Sequence, residues 1–343
     1  MDKIIEQDCR EYMDRIDFSP LRGKTVLITG ANGLIGTYLI YMLHMANEIR
    51  SMDINIEAVS RSSPNEALSE IFENNYRFHS IDLNKADCAE LTGKSDYIVH
   101  GATYAQPGKF LRNYAETIHL NTAVTERLLQ KAAADGAGFL FLSSSEVYGE
   151  PDEGNIPTPE EYSGNCSPVS IRSIYSEAKR MGETLCFAYR HFENVDAKIA
   201  RIAMTYGPGV RMEDERVMAQ FIKQALTLKK ISMLDDGRKR RTFCYVSDCV
   251  LMLLDILLHG TGFVYNVGGR DSITIKELAE EICSQTGSVL SIEPVQRPDA
   301  QSIKVSPERV ELDIKKVCSE FGLKEFKSIS VGLQRTIEWS REN

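Results

Sequence analysis

Tyr175 and Lys179 stand four residues apart in a stretch predicted helical over 175–193, so the phenol and the ammonium share one face. A phenol titrates near ~10 and is a poor base at neutral pH. A neighbouring ammonium favours the phenolate. Such a pair takes the proton of an alcohol while the carbon gives up hydride to a nicotinamide. Upstream, the apolar run Phe139–Leu142 leads into Ser143-Ser144-Ser145-Glu146-Val147-Tyr148-Gly149. Ser144 is placed to hydrogen-bond the reacting oxygen, Ser145 lies beside it, and Glu146 adds an acid or base near the same carbon. Serine clusters at strand ends also form plain turns, and a Tyr-x-x-x-Lys spacing arises by chance in many helices. The weight lies in the combination.

The third part of that combination is Gly30-Ala31-Asn32-Gly33-Leu34-Ile35-Gly36, after the apolar run Thr25–Thr29 and before a helical pattern near 34–49. Glycines at this spacing permit a tight turn, let the backbone approach a pyrophosphate and let helix pack on strand. The helix N-terminus turns free N–H groups toward the phosphates. Gly30, Asn32, Gly33, Leu34, Ile35 and Gly36 are therefore the first candidates for a dinucleotide. An acid at the end of the second strand ordinarily takes the ribose hydroxyls; Ser60-Arg61 stands there instead. Arg61 opens two readings, a 2′-phosphate partner for NADP or a side chain stacked on adenine. Asp82-Leu83, after the third strand, suits the adenine amino group.

Elements must position these groups. Predicted strands are Thr25–Thr29, Ile54–Ser60, Tyr76–Ile81, Tyr97–Gly101, Phe139–Ser143 and Ala197–Ile202, with helices near 34–49, 111–134 and 175–193. Strands alternating with helices predict an α/β, Rossmann-type doubly wound parallel sheet covered on both faces. Beyond residue 203 the pattern changes to helices near 214–228 and 247–258, broken by Ile231–Leu234 and Val264–Val267, with Pro294, Pro298 and Pro307 marking a loop-rich stretch. The expected division is an N-terminal helical extension with linker over 1–22, a dinucleotide-binding domain over 23–203, and a smaller α/β substrate lobe over 204–343 with some chain crossing back.

The chain has 343 residues and a net charge of -9. Its one basic cluster, Arg238–Arg241, fits a local phosphate site and not general nucleic-acid binding. No run approaches the ~20 apolar residues of a membrane span, and Met1–Arg15 has no secretory character. A cytoplasmic protein that binds neither nucleic acid nor membrane is expected. The eight cysteines are scattered singly, with no CxxC pair and no histidine at metal spacing, so no metal is expected. His79, His100, His119 and His191 read as core or surface histidines.

In these motifs the chain resembles the extended short-chain dehydrogenase/reductase family, the nucleotide-sugar epimerases and dehydratases, from about residue 22 to the C-terminus. Asn121, Arg201 to Pro208, and Arg241-Thr242-Phe243 before Tyr245-Val246-Ser247-Asp248 extend the match. The resemblance implies NAD as cofactor, with NADP as the alternative, and adds Ala102, Thr103, Asn121, Tyr175 and Lys179 to the cofactor site. It implies a nucleotide-diphosphate sugar as substrate, held by Tyr104, Arg172, Thr205, Arg216, Arg241 and Arg309, and a homodimer built on helices 111–134 and 175–193. Locally the chain is most similar to the UDP-glucuronate decarboxylases, in Ser143–Gly149, in Ser167–Arg180, and in Arg216–Leu226.

Departures also stand out. Ser145 replaces the aspartate of the 4,6-dehydratases, Met204-Thr205 replaces the usual asparagine before the Tyr-Gly-Pro turn, and an R-K-P-D-I segment survives only as Arg309–Asp313 or Arg297-Pro298-Asp299. The first expectation is a UDP-glucuronate decarboxylase-like enzyme that oxidises the sugar at C4. The alternatives are an epimerase, dehydratase or 4-dehydrogenase on another sugar nucleotide, and, in another class, a non-catalytic NAD(P)-binding regulator.

Overall fold

The computed structural model describes residues 2–73, 76–86, 93–292 and 307–343. Pro294, Pro298 and the Arg297-Pro298-Asp299 segment lie outside them. The first half alternates strand and helix. Its strands are β1 (Thr25–Thr29), β2 (Asn55–Ser60), β3 (Arg77–Ser80), β4 (Tyr97–His100), β5 (Gly138–Ser144) and β6 (Ala197–Ile202). Its helices are α1 (Lys3–Arg10), α2 (Leu34–Arg50), α3 (Glu66–Phe72), α4 (Pro107–Arg112), α5 (Tyr114–Asn121), α6 (Ala123–Asp135) and α7 (Ser173–Phe192). The second half holds β7 (Met204–Tyr206), α8 (Val217–Leu228), β8 (Lys230–Met233), β9 (Arg240–Tyr245), α9 (Val246–His259), β10 (Val264–Val267), β11 (Ser272–Thr274), α10 (Ile275–Thr286), β12 (Val289–Ile292), β13 (Arg309–Val310), α11 (Lys315–Glu320) and α12 (Ile329–Glu342).

The central sheet runs β10-β6-β5-β4-β1-β2-β3, and every neighbouring pair is parallel. Apart from the edge strand β3, its strands are buried on both faces, so they lack the alternation of half-buried strands. The order reverses between β1 and β4. There the strand ends diverge and leave a crevice at their carboxyl edge. β10, from the later part of the chain, closes the far edge by pairing with β6 from Val264↔Ile199 to Val267↔Ile202. The later lobe is built on β11-β9-β13, with β7 also pairing β9, and on the two-stranded β12-β8.

Two expectations are corrected. The helix expected over 111–134 is three pieces, interrupted at Asn113 (φ -120, ψ 51) and Thr122 (φ -121, ψ -85). The second break lets Asn121, at the end of α5, turn its amide inward: Nδ2 donates to Thr103 Oγ1 (2.8 Å) and to the Thr117 carbonyl (2.7 Å). The helix expected from 214 starts at Val217, because Asp214 binds the backbone and guanidinium of Arg216 first.

The N-terminal segment contains the expected helix, and it is also more than an extension. Asp8 of α1 is fully buried. It accepts from Tyr38 of α2 (2.9 Å), from Tyr245 at the end of β9, and from Arg335 of α12. Tyr12 donates to Asp248 of α9 (2.7 Å). One buried carboxylate thus joins the helix after the glycine turn to the later lobe. Breaking a buried ion pair costs about 3–5 kcal/mol; Arg335 keeps a second partner in Glu11 (2.7 Å), which favours the lower end. Asp8→Ala is expected to destabilise the chain by about 3 kcal/mol, measured by urea unfolding at constant m-value.

Candidate active site

The carboxyl edge of the sheet and the later lobe enclose one cleft of about 1750 Å³. Its floor is the glycine turn. Gly30 has φ +79, and a Cβ there would stand 2.7 Å from Gly101 C. A Cβ on Gly36 would stand 2.5 Å from Gly30 O. Both glycines are required by close approach of backbone to backbone, and the N-terminus of α2, capped at Gly33, is left open to the cleft. Asn32, Leu34 and Ile35 line the same wall, as do Ser60 and Arg61 at the end of β2, Asp82 and Leu83 beyond β3, and Ala102, Thr103 and Tyr104 beyond β4. Asn121 Oδ1 is buried behind this wall without a hydrogen-bond partner. An open helix N-terminus, glycines that leave no room for side chains, and an unsatisfied polar atom together fit a dinucleotide.

At the middle of the cleft, β5 ends in Ser144, whose hydroxyl caps the short turn Ser145–Tyr148 by accepting from the Glu146 amide (3.2 Å). α7 carries Tyr175 to the same point. Its ring is 5 % exposed and stacks on Phe110 at 5.3 Å. Burial raises the phenol's pKa above its ordinary value, Glu146 adds to the rise, and hydrogen bonding to Ser144 opposes it. Glu146 and Arg172 form an ion pair in which one guanidinium nitrogen, Arg172 Nη2, donates to both carboxylate oxygens, at 2.6 and 2.8 Å.

Lys179 lies one turn deeper and does not reach the cleft surface. Its Nζ donates to the Leu142 carbonyl (2.6 Å) and sits 4.5 Å from the Phe141 ring centre and 5.9 Å from that of Tyr175. Burial pushes its pKa down to about 7, with Glu183 the chief opposing charge. The sequence expectation of an ammonium beside the phenol therefore becomes an ammonium behind the ring, held between β5 and α7.

Glu183, one helical turn past Lys179, was not singled out from the sequence, although its spacing placed it on the same face. It accepts from Ser143 Oγ (2.6 Å) and pairs with Arg201 of β6 (2.7 Å). Arg201 also donates to the Tyr148 hydroxyl (3.0 Å). His100, at the end of β4, has both ring nitrogens engaged, Nδ1 with Thr29 Oγ1 (2.7 Å) and Nε2 with the Leu120 carbonyl (3.0 Å). Burial pushes its pKa down to about 3, so it is neutral, with Nε2 donating and Nδ1 accepting.

The far arm of the cleft lies in the later lobe. Arg216 lines it with its guanidinium on Asp214, and Thr205 and Arg241 line it too. Arg241 is buried and bonded to the carbonyls of Arg240 (2.6 Å) and Pro307 (2.6 Å). Arg309 is not brought in. Pro307 and Val310 line the cleft, while Arg309 pairs with Glu311 (3.1 Å) on the other side of the two-residue strand β13. Residues the sequence reading passed over, among them Gln106, Lys109 and Asp235, also face the cleft. Only the three-dimensional path of the chain puts them there.

The model of the NAD dependent epimerase/dehydratase family matches residues 26–268. The UDP-glucuronic acid decarboxylase 1 of Danio rerio is 34% identical over 322 residues, covering 93% of this chain and 73% of the relative. Among solved structures, a dTDP-glucose 4,6-dehydratase from Streptomyces venezuelae with NAD and TYD bound superposes with a TM-score of 0.77 at 25% identity, covering 93% of this chain and 97% of the other. A UDP-glucose 4-epimerase with UDP-glucose from Thermotoga maritima gives a TM-score of 0.78 at 23% identity, covering 93% and 99%.

Proton transfer by a positioned side chain contributes roughly 10²–10⁴-fold to a rate. Tyr175→Phe is expected to lower turnover by about that factor while dinucleotide binding, followed by quenching of protein fluorescence, stays within about twofold of wild type.

Proposed function

The chain belongs to the NAD-dependent epimerase/dehydratase family and is an enzyme of the extended short-chain dehydrogenase type, and we propose that it decarboxylates UDP-glucuronate with NAD held in the cleft described above. The observation that carries this reading is the Arg172–Glu146 pair facing the same cleft as Ser144 and Tyr175. A cation and a carboxylate beside the base are the groups that handling a carboxylated C5 requires. The relatives named UDP-glucuronic acid decarboxylase, at 34 and 35% identity, support the substrate. Ser145, at the position of the dehydratases' aspartate, weighs against elimination of a hydroxyl.

When bound, the nicotinamide supplies an acceptor for hydride and later returns it. The chain's own residues do the rest. Tyr175 takes the proton of the sugar C4 hydroxyl, and Ser144 hydrogen-bonds the same oxygen as it becomes a ketone. With a ketone at C4, the bond from C5 to the carboxylate breaks. Its electron pair flows into the ketone oxygen as an enolate, and CO2 leaves. Arg172 orients the departing carboxylate by a charge-assisted bond. Glu146 manages the proton that returns to C5. Tyr175 gives its proton back as C4 is reduced. Arg216 and Arg241 hold the diphosphate, and Lys179, buried behind the cleft wall, supports Tyr175 from behind and does not reach the cofactor. Arg309 has no part in this scheme.

The protein also acts, in this reading, as a homodimer through α5 and α7. Tyr114 and Ile118 on α5 and Met181 on α7 are large apolar side chains left in solvent on helices that pack against each other. A self-complementary patch of this kind is the usual basis of a two-fold pair.

Two measurements test the reading. Incubation with UDP-glucuronate and NAD, followed by mass spectrometry, is expected to give a nucleotide sugar lighter by one CO2. An unchanged substrate would remove the decarboxylase assignment and leave the Tyr175 chemistry to another sugar nucleotide. Light scattering is expected to give twice the chain mass of 38.6 kDa, falling to one chain mass when Ile118→Glu and Met181→Glu are combined. A monomeric wild type would refute the dimer.

A further inference from the structure

The two walls of the cleft meet where α4 faces the segment leading into α8. α4 shows a different residue set to each side. Phe110 is buried, and its ring lies nearly parallel to that of Tyr175, at 12°. Gly108 and Arg112 stand four residues apart and so share another face of the helix. That face receives Glu215 from the later lobe. Arg112 Nη2 donates to Glu215 Oε1 (3.3 Å). The carboxylate itself lies over Gly108, where a Cβ would overlap Oε2 and stand 2.7 Å from the carboxyl carbon. Gly108 sits inside α4 with no left-handed φ that would call for glycine. What its missing side chain provides is a seat for Glu215.

Glu215 stands between Asp214 and Arg216 in the chain. Asp214 accepts from the Arg216 backbone N–H (2.9 Å) and from its guanidinium (2.6 Å). Those bonds fix Arg216 to its own segment, and they leave open what fixes the segment to the opposite wall. Glu215 answers that need, because its seat is on α4 and α4 also backs Tyr175. Gly108, Glu215, Arg216 and Tyr175 all line the same cleft. The contact is also open to water: Arg112 keeps 65% and Glu215 47% of its side-chain surface. A pair so exposed is held weakly, so it parts readily to admit a substrate.

We propose that Glu215, seated on Gly108 and Arg112, is a positioning residue that latches the segment carrying Arg216 onto α4, and so sets Arg216 across the cleft from Tyr175 before the substrate arrives. Glu215 touches neither the sugar nor the cofactor in this account. Its effect is to spare the substrate the cost of ordering the segment. Once the substrate is bound, Arg216 and the diphosphate hold the segment themselves, so the latch contributes to capture and not to the chemical step. The proposal rests on the reading that the cleft takes a nucleotide-diphosphate sugar gripped by Arg216.

The test is a double-mutant cycle on the full-length chain with NAD, using Glu215→Ala, Gly108→Ala and the two combined. Gly108→Ala fills the seat and drives the carboxylate off, while alanine suits a helix better than glycine, so this variant folds. Each single change is expected to raise KM for UDP-glucuronate about fivefold and to leave kcat within about twofold, the pattern of binding lost equally from ground and transition state. The combined variant is expected to be no worse than either single one, because with Glu215 truncated nothing meets the new methyl group. A KM within about 1.5-fold of wild type in Glu215→Ala overturns the latch. So does a combined effect near the product of the two, about 25-fold, or a loss confined to kcat. A wild type that does not turn over UDP-glucuronate is a different result, since it removes the decarboxylase reading; the same cycle is then read in the Kd for UDP by calorimetry, with the same fold-changes expected. A wild type that does not bind UDP either overturns the latch together with the nucleotide-sugar reading.

Discussion

A buried ammonium sets the terms for this site. Lys179 has almost no contact with solvent, and its hydrogen bond runs to the carbonyl of Leu142, one residue before the serine cluster. A cation in that position is costly unless it is compensated, and burial, partly opposed by Glu183, pushes its pKa down to about 7. The fold answers with layers. The Phe141 ring presents its face, Glu183 stands one turn along the helix, and Arg201 neutralises Glu183 from the next strand. Ser143 and Tyr148 finish the hydrogen bonding. The backbone that carries Ser144 is therefore pinned from behind by the same groups that make the lysine tolerable.

That arrangement explains why so much conformational detail gathers near α5 and α7. Gly182 lets α7 lie against Phe141 and the Asn121 carbonyl; a Cβ there would meet them at 2.5 and 2.8 Å. The break after Asn121 aims its amide at Thr103, next to the cleft, and not along a helix. A straight helix over this stretch would carry the amide past the wall. The break costs backbone hydrogen bonds and leaves a polar atom, Oδ1, buried behind the cleft wall without a hydrogen-bond partner. Buried polar atoms are rarely left unpaired, so this one is a cost that the packing of α5 against α7 carries.

The parts of the molecule legible in sequence were those with short-range signals. Strand β1, the glycine turn and α2 follow from apolar runs and glycine spacing, and Tyr175 and Lys179 from helical spacing. The illegible parts depend on partners far apart in the chain. Nothing local at Asp8 announces that Tyr38, Tyr245 and Arg335 converge on it, so the first residues read as a short helix and linker with no part in joining the lobes. Thr122 carries no proline or glycine to signal a break. Arg309 shows the opposite failure. Its neighbours Pro307 and Val310 reach the cleft, but side chains alternate along even a two-residue strand, and a single step in register turns Arg309 toward Glu311.

The arginines of the cleft share a feature that bears on how it accepts an anionic ligand. Arg172 is paired with Glu146 and Arg216 with Asp214, while Arg241 rests on backbone carbonyls. Each is held in place before anything binds, so little side-chain freedom is lost on binding. The pairs differ in how readily they open. Glu146 and Arg172 keep 36% and 26% of their side-chain surface exposed, and a pair so open to water is held by little net energy. Asp214 is 3% exposed, and removing its partner would strand a buried charge. Arg216 is thus a fixed post that presents whichever edge Asp214 leaves over, whereas Arg172 is free to exchange Glu146 for another carboxylate. A cleft with two fixed cations, Arg216 and Arg241, and one exchangeable cation, Arg172, can grip one end of a long substrate and let go of a small fragment at the other.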